Sequence, residues 1–192
     1  MFNELILASK NPGKIKELSA LLAPMGVRVR SALEMDLPDV VEDRDTFDGN
    51  AAKKAEEIAA ATGLPALADD SGICVDTLDG RPGVFSARYG GYERLLEELK
   101  AHTSDVHPAH FMCVLALAVP GQQTRLYEGR IDGHVVAAPR GTSGFGYDPV
   151  FQPKGYKETF GEMDPILKNK ISHRGLALQA FVADMGKAAK TA

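Results

Sequence analysis

The first thirty residues restrict the fold more than any other stretch. Leu5, Ile6, Leu7 and Ala8 form an unbroken apolar run of the length of a short buried strand. The polar segment Ser9-Lys10-Asn11-Pro12-Gly13 follows. Ile15, Leu18, Leu21, Leu22 and Met25 then recur at helical spacing until Gly26 ends the pattern. Val27 and Val29 alternate with Arg28 and Arg30, as in a half-exposed strand. The chain therefore opens as strand, loop, helix, strand.

The same reading extends along the rest. An acidic loop covers 36–45, and Asp45 or Thr46 can cap a helix that runs to about residue 61 with Phe47, Ala51, Ala55, Ile58 and Ala59 on its apolar face. A strand over 66–68 leads into the polar segment Asp69-Asp70-Ser71-Gly72, and a second strand covers 73–75. Turn residues fill 79–83, and a short helix over 92–101 buries Leu95, Leu96 and Leu99. Residues 111–119 and 126–131 read as a hairpin across Gly121, 141–147 as a glycine-rich loop, and 172–185 as a closing helix with Leu176, Ala177, Ala180, Phe181 and Met185 inward. Early alternation and a central hairpin give an α/β fold with a mixed sheet flanked by helices, read as one domain over 1–192 without a separable linker.

A formal net charge of −4 argues against a nucleic-acid binder, which needs a basic stripe. Cys74 and Cys113 each lie in an apolar run and read as reduced, buried thiols, which fits a cytoplasmic location. Glu4 interrupts the first apolar stretch and Lys10 follows it, a pattern unlike a secretory leader, and the longest apolar run (112–119) is too short to span a membrane.

Several segments carry chemistry. Ser9 to Lys14 lead from a strand into a helix N-terminus, where backbone N–H groups and the helix dipole favour a phosphate; Lys14 adds a point charge. It is not a Walker loop, since Ala8 and Ile15 stand where that motif needs Gly and Ser/Thr. Adjacent carboxylates at Asp69 and Asp70 suit a hard cation such as Mg²⁺, with one carboxylate left to activate water, or else form a polar turn capped by their own side chains. Asn50 and Lys54 share a helix face, which lets Lys54 approach Asp70, and Glu42 is a further candidate ligand. In Gly144-Phe145-Gly146-Tyr147-Asp148 an aromatic ring between glycines can stack on a nucleobase while Asp148 accepts from ring N–H groups; the alternative is a tight turn anchored by buried aromatics. Lys168, His173 and Arg174 gather before and at the start of the last helix, where cations are unfavourable unless an acceptor-rich ligand or anion joins them. His102, His107 and His110 lack a companion motif, which disfavours a metal role.

Six stretches in order resemble the inosine/xanthosine triphosphate pyrophosphatases: Ser9 to Lys14 with Glu17; Thr46-Phe47 through Asn50 to Lys54; Ala68 to Gly72; Arg81 to Tyr89; Gly144 to Phe151; and Ser172-His173-Arg174. They cover nearly the whole chain. The resemblance implies a homodimer whose subunits have two lobes around a long mixed sheet and a central cleft, and Mg²⁺-dependent hydrolysis of ITP, dITP and XTP to the monophosphate and pyrophosphate. It implies that Ser9, Lys10, Asn11, Pro12, Gly13 and Lys14 cradle the phosphates, that Ser71 and Lys54 hold the triphosphate, and that Asp70 is general base and metal ligand, assisted by Asp69 and by Glu42, with Asp39 or Asp43 as alternatives. Phe145, Gly146, Tyr147, Asp148, Lys168, His173 and Arg174 would hold the base. Donors at Lys168 and Arg174 match the O6 acceptor of inosine and xanthosine and face the adenine amino group badly. The other readings are a pyrophosphatase for other modified or pyrimidine nucleotides and a nucleotide sensor without turnover. The chain departs from the family in a short stretch between Tyr89 and Phe111 and in Gly161, where the family has alanine.

Overall fold

The computed structural model describes residues 3–35, 37–102, 104 and 106–188. Six strands form one mixed sheet: β1 (Glu4–Leu7), β2 (Arg28–Ser31), β3 (Ala66–Val75), β4 (His107–Ala118), β5 (Arg125–Val135) and β6 (Phe151–Pro153). Their order is β2-β1-β3-β4-β5-β6. β1 pairs in parallel with β2 and with β3, setting Ile6 against Arg30 on one side and Ala66 on the other, whereas β5 and β6 are antiparallel. The helices are α1 (Pro12–Leu22), α2 (Phe47–Thr62), α3 (Gly91–Leu99), α4 (Pro165–Ile171) and α5 (His173–Ala188). No described helix is long and apolar enough to cross a membrane.

Local chemistry sets the helix ends. Asn11 is extended, and its side-chain oxygen accepts from the N–H of Gly13 (2.9 Å) and Lys14 (3.2 Å); Pro12, at the first helical position, has no N–H to satisfy. Thr46 caps α2 by accepting from Gly49 N–H at 3.1 Å, and Gly63 closes it in a left-handed conformation.

The chain divides into two compact units: residues 1–70, 113–129 and 176–192 form the first, and residues 71–112 and 130–175 the second. Each has its own apolar core. In the first, Leu5 and Leu7 of β1 pack with Leu18 and Leu22 of α1, Leu115 and Leu117 of β4, and Phe181 of α5. Tyr127 meets Phe181 edge-on and donates its hydroxyl to Asp184 at 2.7 Å, tying β5 to α5. The second core is aromatic: Phe111 meets Phe151 edge-on at 4.7 Å and packs with Phe160 over Ile73, Val75 and Leu95.

The α/β class and mixed sheet match the sequence reading, and three local features differ. The expected break at Asp69-Asp70-Ser71-Gly72 is absent: β3 runs through without interruption. Its carboxylates lie next to lysines, so burial in a strand costs them less than isolated charges would incur. Gly72 serves close packing rather than a turn, since a Cβ there would lie 2.2 Å from the Gly83 carbonyl oxygen. Two short elements, α4 and β6, also escaped notice. The local sign of α4 was Asp164-Pro165, where the Asp164 carboxylate accepts from the N–H of Ile166 (2.9 Å) and Leu167 (3.1 Å). Seven residues carry too little periodicity to show a helix by themselves.

Candidate active site

In the first unit, the first turn of α1, the middle of β3, one face of α2 and the loop before α2 bring five charged groups together. Lys14, on the first turn of α1, places its ammonium 3.0 Å from Asp69 Oδ1. Lys54, one turn along α2 from Asn50, donates to the backbone oxygen of Asp69 at 2.8 Å, lies 3.6 Å from Asp70 Oδ1, and pairs with Glu42. Asp69 and Asp70 are only 2% and 4% exposed. Cys113 Sγ lies 4.0 Å from Asp69 Oδ2, its thiol a weak donor.

The charges explain one another. Burial alone would lower the Lys54 pKa, but Asp69, Asp70 and Glu42 outweigh it and the ammonium is held above its ordinary value. Burial pushes the Asp70 carboxyl up; Lys54, Lys14 and a hydrogen bond from Asn50 pull it down without cancelling that effect, and Glu42 adds to the rise. A carboxylate biased towards its protonated form is a better proton acceptor than an exposed aspartate.

Of the three acidic candidates in the preceding loop, geometry favours Glu42. Asp39 is exposed and pairs with Lys10, and Asp43 pairs with Lys53 and Arg44, whereas Glu42 shares Lys54 with Asp70. Ser9 Oγ accepts from Asn11 N–H at 3.3 Å, and the N–H groups of Gly13 and Lys14 are engaged by Asn11.

The second unit collects the aromatic and basic residues. Gly144 has φ of +76°, and a Cβ there would lie 2.0 Å from Asp148 Oδ2. That tight path lets Asp148 Oδ2 accept from Phe145 N–H at 2.7 Å and from Lys168 at 2.6 Å. Lys168 lies 5.4 Å and the Arg174 guanidinium 5.6 Å from the Phe145 ring centroid. Arg174 also donates to Ser71 Oγ at 3.0 Å. His173 stacks flat on Phe111, centroids 4.5 Å apart. Tyr147 donates its buried hydroxyl to the Ser86 carbonyl at 2.8 Å.

Lys168 needs no bound anion to account for it, whereas His173 and Arg174 open α5 as the sequence reading expected. Lys168 stands in the last turn of α4, where the helix dipole favours it, and it is paired with Asp148; the sequence reading placed it beside an N-terminus because α4 was not seen. His102 and His107 meet edge-on at 6.3 Å, and His107 Nδ1 lies 3.2 Å from Thr77 Oγ1. Among the described residues, no group of three His, Cys, Asp or Glu side chains is arranged to hold a metal ion.

Comparison with known proteins decides the family. The profile of the Ham1 family matches residues 5–184.

This chain belongs to the Ham1 family.

A dITP/XTP pyrophosphatase of Gluconobacter oxydans is 50% identical over 188 residues, covering 94% of this chain and 89% of the relative. A protein of Bacillus subtilis with the same name is 43% identical, covering 93% and 95%. Among solved structures, the HAM1 protein of Coxiella burnetii superposes with a TM-score of 0.87 at 38% identity, covering 97% of this chain and all of that one. A chain of the Ham1 family with these relatives is a pyrophosphatase-type hydrolase, and the resemblance read from the six motifs holds over almost its whole length.

Sequence reasoning undervalued two residues. Asn50, singled out only as a neighbour of Lys54, accepts from Arg44 N–H and donates to Arg44 O. Phe111, read only as part of an apolar strand, carries His173 on its face. Phe111 and His173 stand 62 positions apart, so their contact has no local signal, whereas Asn50 and Arg44 are six apart across the start of α2.

Proposed function

We propose that this chain hydrolyses the triphosphates of deaminated purines, dITP, ITP and XTP, to the nucleoside monophosphate and pyrophosphate, with Mg²⁺ as its metal. The relatives' names support the reaction. The observation that carries it here is the buried Asp69–Asp70 pair of β3 set against Lys14 and Lys54.

The donor set suits a magnesium ion. Asp70 Oδ2 is buried without a hydrogen-bond partner, and Glu42 reaches the same lysine as Asp70. Mg²⁺ is commonly held by one or two carboxylates together with substrate phosphates, so Asp70 and Glu42 suffice, and Asp69 is the weaker ligand because Lys14 already neutralises it. Bound there, the ion would neutralise phosphate charge and ease deprotonation of the attacking water. Asp70 takes a proton from water as its oxygen forms a bond to the α-phosphorus; the bond from that phosphorus to the bridging oxygen breaks, and pyrophosphate leaves with the electron pair. Lys14 and Lys54 stabilise the charge that gathers on the phosphate oxygens.

Base recognition is assigned to Phe145, Lys168 and Arg174. The Phe145 ring offers a stacking face, and the two cations supply donors for O6. Asp148 holds the loop and Lys168 in place, and His173 and Tyr147 complete the aromatic wall. In this reading the chain acts as a cytoplasmic homodimer, with neither nucleic acid nor membrane as partner.

The test is a panel of dITP, XTP, dATP, dGTP and dUTP with Mg²⁺ and identification of the products. Pyrophosphate released fastest from dITP and XTP supports the proposal; orthophosphate, or a preference for dUTP, overturns it. Size-exclusion chromatography with light scattering should give twice the chain mass.

A further inference from the structure

The acidic segment before α2 has no regular secondary structure over residues 37–44, yet it carries Glu42, the second carboxylate of the proposed metal site. Four side chains hold this segment. Lys10 pairs with Asp39, Lys53 with Asp43 and the Val41 carbonyl, Lys54 with Glu42, and Asn50 with Arg44. The carboxylates of the first two attachments are exposed, and such ion pairs hold weakly and are screened by salt, which leaves Lys53 its bond to the Val41 carbonyl. The third is the lysine expected to turn towards phosphate oxygens when substrate arrives.

Asn50 is different. It is 1% exposed and uncharged, and it binds both backbone groups of one residue: Oδ1 accepts from Arg44 N–H at 3.0 Å and Nδ2 donates to Arg44 O at 3.1 Å. The Asn50 amide also pulls the Asp70 carboxyl down in pKa. One side chain thus fixes the backbone two residues beyond Glu42 and acts on the other proposed metal ligand. The fit around it is close: a Cβ on Gly49 would lie 2.9 Å from Arg44 Cβ and 3.0 Å from Thr46 Oγ1, so the first turn of α2 rests directly on Arg44.

We infer that Asn50 is a positioning residue for the metal site: it clamps the Arg44 backbone so that Glu42 stays opposite Asp70 when Lys54 is drawn to substrate. Resting on the Mg²⁺-dependent reading above, the inference adds a residue whose contribution is geometry and which touches neither metal nor phosphate. Lys54 can then change partners without releasing the loop, because the clamp carries no charge to be neutralised.

The experiment compares wild type, Asn50→Ala and Glu42→Gln. Hydrogen exchange reads the Arg44 amide, and Mn²⁺ titration, followed through the free-ion paramagnetic resonance signal, reads metal affinity without nucleotide. The dITP KM is measured at saturating Mg²⁺. Asn50→Ala should speed exchange at Arg44 and weaken Mn²⁺ by about 10–100-fold, as loss of an outer positioning partner does, and leave that KM unchanged. Glu42→Gln should weaken Mn²⁺ while Arg44 exchanges as in wild type. If Asn50→Ala fails to fold, Asn50→Ser, which keeps a single hydrogen-bonding group there, is judged by the same measurements. Unchanged exchange, or faster exchange with unchanged Mn²⁺ affinity, overturns the inference. Should the wild-type protein fail to hydrolyse dITP, the proposed function falls, while exchange and Mn²⁺ binding still decide the clamp.

Discussion

Asp70 and Lys54 are neighbours of opposite charge, and removing each has an opposite consequence for the fold. Carboxylates outnumber ammonium groups in the first unit's cluster, and burial keeps Asp70 above its ordinary pKa. A raised folded-state value means that Asp70 contributes stability fully present below the ordinary aspartate pKa and lost as pH rises through the folded one. At neutral pH its charge is therefore a burden. Asp70→Asn should lower kcat by about 10²–10⁴-fold, the worth of a positioned base, yet melt at or above the wild-type temperature. Subtracting the two stability-versus-pH curves should leave a difference that grows in the variant's favour as pH rises from the acid range; a variant that melts lower at pH 7 sinks the argument. Lys54→Met leaves Glu42, Asp69 and Asp70 without their shared cation, and denaturant unfolding should show a loss of about 3–5 kcal/mol. These residue types were legible in the sequence because Asp69-Asp70 and the Asn50 to Lys54 spacing are local. The approach of Lys54 to Asp70 was legible from the same helix face, but the Lys14–Asp69 pairing was not: the two stand 55 positions apart, and no periodicity joins them.

Among the elements, the loop from Gly144 to Asp148 is tightly specified. Gly144→Ala forces a Cβ into Asp148 Oδ2 at a positive φ, and should cost about 1–3 kcal/mol of stability and raise KM for dITP more than it lowers kcat. Equal effects on both parameters would place the loop in the chemical step instead. Tyr147 anchors the same loop. Burial pushes its hydroxyl up to about 12 from an ordinary 10.0, so its contribution is complete below pH 10.0 and disappears as pH rises through about 12. Tyr147→Phe should lose about 1 kcal/mol at neutral pH, the typical net worth of a buried hydrogen bond, and show a shallower alkaline decline. Elements with a strong period or clear caps, such as α1 and α2, were readable before any coordinates. The continuity of β3 was not, because Asp-Asp-Ser-Gly is turn chemistry locally and only distant lysines make it a strand.

At the scale of the whole molecule, chain order and compactness diverge. The first unit is assembled from three separate segments, and its last one supplies Ala177, Leu178, Phe181 and Met185 to the core. Phe181→Ala should therefore destabilise by about 3–5 kcal/mol although Phe181 carries no catalytic group, with kcat at low temperature unchanged. Hydrophobic spacing revealed that α5 packs inward; it could not reveal that α5 returns to β1 and α1, since the same stripe suits any apolar partner. The two lysines proposed to bind phosphate already face three carboxylates, Glu42, Asp69 and Asp70. On the proposed function, a nucleotide that carries its own divalent cation would bring less uncompensated negative charge to that excess than a bare polyanion would.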